Sequence, residues 1–118
     1  LKGQDGADSR VAVLGDMLEM GPDSRRVHAE IGKRVSRVGA RLLVTVGSES
    51  SWIGEACRTE CGMAETVHFG SAGEVLPFLT RRLKPGDHVL FKGSRRIGLD
   101  ASVKALREWA RGQPSNGY

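Results

Sequence analysis

Two short stretches of this chain carry residue types that could do chemistry, and each follows an apolar run. The first is VAVLGDMLEMG, Val11 to Gly21, where residues reading as a buried strand break at Gly15 into a loop holding Asp16, Met17, Glu19 and Met20. Asp16 and Glu19 could hold a divalent cation or orient an amine. The plainer alternative is a turn in which Asp16 bonds the amides of its own loop. The second stretch is FKGSRRIGLD, Phe91 to Asp100. Gly93 and Gly98 permit tight backbone, Ser94 offers a hydroxyl, and Lys92, Arg95 and Arg96 add positive charge. Amides ahead of a helix with cations beside them suit a carboxylate or phosphate; a capped turn with solvent-facing arginines is the alternative. His28, in RRVHAEIG, stands one turn into an amphipathic segment, where it either packs on the helix surface or reaches the cleft between these loops.

Several other chemistries are excluded by what the chain lacks. GxxxxGK[ST] and GxGxxG appear nowhere, so the chain has no phosphate-cradling glycine loop and should not hydrolyse a nucleotide alone. Ser50 and Ser51 lie outside any GxSxG, which a serine hydrolase of that class requires. Cys57 and Cys61 are four apart, on one face of a helix rather than in a CxxC turn. Only His68 lies near them as a further zinc ligand, so they read as small, half-buried thiols.

Net charge is +4, which raises nucleic acid as a partner. Much of the surplus sits at Arg25, Arg26, Lys33, Arg34, Arg37 and Arg41. These positions avoid the stripe Val27, Ile31, Val35 and Val38, so they are expected on the solvated outer face of one helix. Aromatic residues are only 5% and are not interleaved with the basic ones, so there is no stacking platform for single strands. The expectation is no nucleic-acid partner. No apolar run is long enough to span a bilayer and no secretory pattern precedes the first strand, so a soluble cytoplasmic domain without membrane contact is expected.

What must position the two loops is a simple recurring pattern. The chain has 118 residues, enough for one domain with its own core. Apolar run, connection and amphipathic run recur four times. Strands are expected at Arg10–Leu14, Arg41–Val46, Thr66–Phe69 and His88–Lys92. Between them fall helices over residues 22–39, 50–60 and 71–83, and a last helix over 99–111. Asp23 or Ser24 is placed to cap the first helix and Gly39 to end it. Trp52, Ile53 and Ala56 are expected inward on the second, and Pro77 either starts the third late or kinks it. Such alternation predicts an α/β fold: a Rossmann-like open, mainly parallel sheet with helices on both faces. Residues 1–9 read as a leader, 10–111 as the domain and 112–118 as a flexible tail. In such sheets ligands gather at the carboxyl ends of the strands, which is where GDMLEMG, GSES, FGSAG and KGSRRIG fall.

Taken together, VAVLGDMLEMG, the histidine of RRVHAEIG, LLVTVG, HFGS and LKPGDHVLFKGSR resemble the carboxy-terminal domain of the Mur ligase family. The branch resembled joins D-alanyl-D-alanine to UDP-N-acetylmuramoyl-tripeptide in peptidoglycan synthesis, and the resemblance runs from Arg10 to about Arg111. It implies a three-domain parent dependent on ATP and Mg²⁺, whose central domain carries the P-loop. ATP phosphorylates the carboxylate of the sugar tripeptide, and the dipeptide amine attacks the acyl phosphate. The third domain swings onto the central one, closes the ATP site and helps to receive the dipeptide.

On this resemblance the chain alone should be inactive, with no catalytic residue, no metal ligand and no tightly bound cofactor. By charge and rim position, its substrate-binding residues would be Asp16, Glu19, His28, Lys92, Gly93, Ser94 and Arg95. Lys92 to Arg95 would face the dipeptide carboxylate, and Asp16 or Glu19 its amine. The chain departs from the family in starting after an Asp-(Ala/Ser)-Tyr-Asn-Ala-Asn-Pro segment, so the sheet is expected to lack its first strand. Met20 and Ile97 are mild apolar departures. Two rivals are a sister ligase that adds one amino acid, whose DNPR-type segment is absent, and a stand-alone α/β anion- or nucleotide-binding module. A receiver module would need a carboxylate at the end of a central strand, where Gly47 and Gly70 stand.

Overall fold

Residues 10–17, 21–60, 65–93 and 97–112 are described by the computed structural model. The four apolar runs form strands β1 (Arg10–Gly15), β2 (Leu42–Val46), β3 (Glu65–Phe69) and β4 (His88–Lys92). Between and after them lie helices α1 (Ser24–Val38), α2 (Ser51–Glu60), α3 (Val75–Arg82) and α4 (Leu99–Arg111). The strands are all parallel, in the order β3-β2-β1-β4. None of the described helices is long and apolar enough to cross a membrane.

Register decides which side chains share a face. Val11 pairs with Leu42 and Val89, so Val11 and Val13 project with Leu42, Val44 and Val46 to one side. There they meet Val75 and Leu79 of α3 and Leu99 of α4. Ala12, Leu14 and Leu43 project to the other side, against Ile31 and Val35 of α1 and Ile53 and Cys57 of α2. β2 is buried along its whole length, as a continuously apolar strand between two helical layers must be. The steps β1 to β2 to β3 carry α1 and α2 on one face. The return step from β3 to β4 carries α3 on the other, and both senses obey the right-handed crossover rule.

Several local expectations are corrected. Asp23 holds the N-cap position of α1, but its side chain makes no capping hydrogen bond. The preceding 3₁₀ turn, Gly21–Asp23, leaves it at φ −87° and ψ 1°, outside the extended region from which a cap reaches back. Its carboxylate instead lies 3.5 Å from the Arg26 guanidinium. Arg41 is not on a helix face: it precedes β2, half-buried, and pairs with Asp87 while donating to the Arg82 carbonyl at 3.0 Å. Trp52 is only partly buried, covered by the Arg25 guanidinium 5.8 Å from its ring centre. Of the two expectations for Pro77 the late start holds: it falls in the first turn of α3, where its missing N–H removes no helical bond.

Candidate functional site

The carboxyl ends of the parallel strands share one rim, and β1 at the middle of the sheet delivers Asp16 to it. Asp16 is 1% exposed, yet its charge is fully solvated by protein. One carboxylate oxygen accepts from the Ser48 amide at 2.9 Å and from its hydroxyl at 3.3 Å. The other accepts from the amides of Glu49 at 3.0 Å and Ser50 at 2.6 Å. These amides lead into α2, so the carboxylate caps the positive end of that helix. The Asp16 amide also donates to the Val46 carbonyl at 3.1 Å. Asp16 therefore staples the loop after β1 to the loop after β2, rather than closing its own turn.

Gly47 makes the staple possible. Its φ of +117° is open to glycine, and a Cβ there would lie 2.5 Å from the Asp16 carboxylate. The Ser50 hydroxyl is buried at this junction without a hydrogen-bond partner among the described residues.

His28 is fully buried rather than on the helix surface. Its Nδ1 lies 2.6 Å from the Ser24 carbonyl oxygen, an acceptor only, so the proton sits on Nδ1 and is donated there. The Ser24 hydroxyl lies 3.2 Å from the same nitrogen. Nε2 is thereby left as an acceptor, and the Met17 amide donates to it at 3.0 Å. The Trp52 ring stands edge-on to the imidazole at 6.1 Å. An interior polar ring thus fixes the backbone one residue beyond Asp16.

The second loop comes to the same place. Gly93 follows β4 so closely beside β1 that a Cβ on it would lie 3.0 Å from the Gly15 Cα. Ile97 folds back over Gly15, within 2.8 Å of where a Cβ there would stand. Lys92 and Gly93 are exposed at this edge, and Gly98, at φ 81°, leads into α4. The fold therefore brings together Asp16, His28, Lys92 and Gly93. Glu19, Ser94 and Arg95 lie outside the described residues. Among the described residues no group of three His, Cys, Asp or Glu side chains could hold a metal. Both Asp16 oxygens are engaged by amides.

Sequence reasoning placed GSES on the rim but did not single out Ser48, Glu49 and Ser50 as partners of Asp16. A glycine followed by small polar residues after a buried strand was the available signal. It becomes specific only once β1 and β2 are known to be neighbours.

Comparison with known proteins gives this chain a family. The family described as "Mur ligase, glutamate ligase domain" matches residues 1–95. The UDP-N-acetylmuramoyl-tripeptide–D-alanyl-D-alanine ligase of Mycobacterium leprae is 36% identical over 99 residues, covering 80% of this chain and 19% of that protein. The enzyme of the same name from Bacillus subtilis is 30% identical over 104 residues, covering 88% of this chain and 23% of its own length. A crystal structure of MurF from Acinetobacter baumannii superposes with a TM-score of 0.67 at 27% identity, covering 84% of this chain and 22% of that one. The chain spans about a fifth of the length of the curated relatives it matches. It belongs to the Mur ligase family and has the α/β fold of that family's carboxy-terminal domain.

Proposed function

We propose that this chain is the closing domain of an ATP-dependent amide ligase that joins D-alanyl-D-alanine to UDP-N-acetylmuramoyl-tripeptide in the cytoplasm. The observation that carries this reading is the match, over four-fifths or more of the chain, to ligases bearing that name. ATP with Mg²⁺ would supply the activating phosphoryl group in the parent enzyme. This domain's share is to close over the site, position the substrates and exclude water. Alone it would be inactive.

The dipeptide is a zwitterion. Its carboxylate is received by Lys92 at the end of β4 and by the Gly93 backbone, Ser94 and Arg95 that follow it in sequence. Its amine is received at the loop after β1, where Glu19 supplies a carboxylate. Asp16 and His28 serve the same substrate from behind: their contacts with residues 48–50 and Met17 hold that loop in place. In the full-length ligase, Arg95→Ala should raise KM for the dipeptide by about tenfold, the loss of one charge-assisted contact. KM for ATP should stay within about twofold. Equal increases for both substrates would place Arg95 elsewhere and overturn the assignment.

A further inference from the structure

The row of side chains that β1 sends towards α3 and α4 has a gap at its end. Val11 and Val13 face that layer, and by alternation the next position in the row is Gly15, which pairs with Val46. Ile97 fills the gap from the other loop. Its Cγ2 lies 2.8 Å from where a Cβ on Gly15 would stand, and its own Cβ and Cγ1 lie 3.3 Å from that point. The side chain is half-buried and packs against the same core as Val13 and Val46. From the side of β4, Gly93 follows the pairing of Leu14 with Lys92. A Cβ on it would lie 3.0, 3.1 and 3.3 Å from the Gly15 Cα, nitrogen and carbonyl carbon. Gly15 is thus held from two directions, by the residue that follows β4 and by the residue two before α4.

We propose that Ile97, lodged over Gly15, is a positioning residue for the amine acceptor. It fixes the spacing between Lys92 and Gly93, which receive the acceptor's carboxylate, and the loop after β1, which receives its amine. The inference rests on the assignment of those two loops to the dipeptide. The two charges of a zwitterion are joined by a chain of fixed length, so receivers on separate loops bind both only while their separation holds. Pairing of β1 with β4 sets that separation as far as Leu14 and Lys92, where the ladder between them ends. Beyond it the approach of Gly93 and the Ile97 side chain carry the contact on. Ile97 suits the task because branching at Cβ leaves it few rotamers, so the contact transmits position rather than yielding. The same stiffness makes Gly15 intolerant of a side chain. An alanine methyl would meet Cγ2 at 2.8 Å, and Ile97 would have to move as a whole, away from the end of β1.

The test is steady-state kinetics of the full-length protein carrying Gly15→Ala, Ile97→Ala or both. Gly15→Ala should raise KM for the dipeptide about tenfold while KM for ATP stays within about twofold. Ile97→Ala alone should raise KM for the dipeptide about threefold. The double variant should return from about tenfold to about threefold, because Cβ, 3.3 Å away, is then the nearest atom of residue 97 to the new methyl. A purely structural contact would move KM for both substrates together, and that result would overturn the proposal. So would a double variant at the product of the single effects, about thirtyfold. Should Gly15→Ala not fold, Ile97→Ala decides alone, and an unchanged KM for the dipeptide overturns the proposal. A wild-type enzyme that ignores the dipeptide would refute the dipeptide assignment instead. The same variants are then compared on the amine acceptor it does use, and the same outcomes decide.

Discussion

Replacing Asp16 with Ala is expected to lower the stability of the domain by about 3 kcal/mol, because three backbone amides and a hydroxyl lose their charged acceptor together. The effect should exceed that of an ordinary capping substitution, about 1 kcal/mol, since the carboxylate also ties two rim loops. Asp16→Asn should fall between: its remaining oxygen can still accept, but its amide group meets donors where an acceptor is needed. Urea unfolding with an unchanged dependence on denaturant checks both variants. In the full-length protein Asp16→Ala should also cost activity, because residues 48–50 lose the anchor that ties them to the loop after β1. A stability loss below about 0.5 kcal/mol, the range of ordinary surface substitutions, would show that the staple contributes little.

Gly32→Ala is the second large effect, and its sign is the informative part. Inside an exposed helix this change stabilises by about 1 kcal/mol, because Ala is the better helix former. Gly32 is instead buried where α1 crosses α2. A Cβ there would lie 2.9 Å from the Ala56 Cβ and 3.1 Å from the Cys57 amide nitrogen, and closer still to the Ile53 carbonyl oxygen. Two of these neighbours are backbone, so the helices must separate rather than a side chain swing away. Overpacking of this kind costs about 1–3 kcal/mol and outweighs the propensity gain. The expected net loss is about 2 kcal/mol, read from urea unfolding. A stabilised variant would mean that α1 and α2 slide apart freely.

The two variants also mark where the sequence was legible. Strand β4 and helix α4 fall where periodicity put them, and β2 and β3 differ by one residue at a single end, because apolar runs and amphipathic stripes are local signals. The parallel alternation was readable for the same reason. The partner of Asp16 was not, since residues 48–50 reach it only through the pairing of β1 with β2, 32 or more positions away. His28 misled for a related reason: a polar ring between helix and loop looks, in sequence, like any surface histidine. Arg41 was grouped with the helical arginines by proximity alone, and its pairing with Asp87 crosses 46 positions. Local rules find elements; the rim is built by contacts between them.

The central claim is tested most directly by the product the full-length protein makes. Supplied with UDP-N-acetylmuramoyl-tripeptide, ATP and Mg²⁺, it should form the pentapeptide product with D-alanyl-D-alanine and yield inorganic phosphate in equal amount. Single amino acids should give none. Extension of the tripeptide by one amino acid, or no peptide product with the dipeptide, would contradict the account.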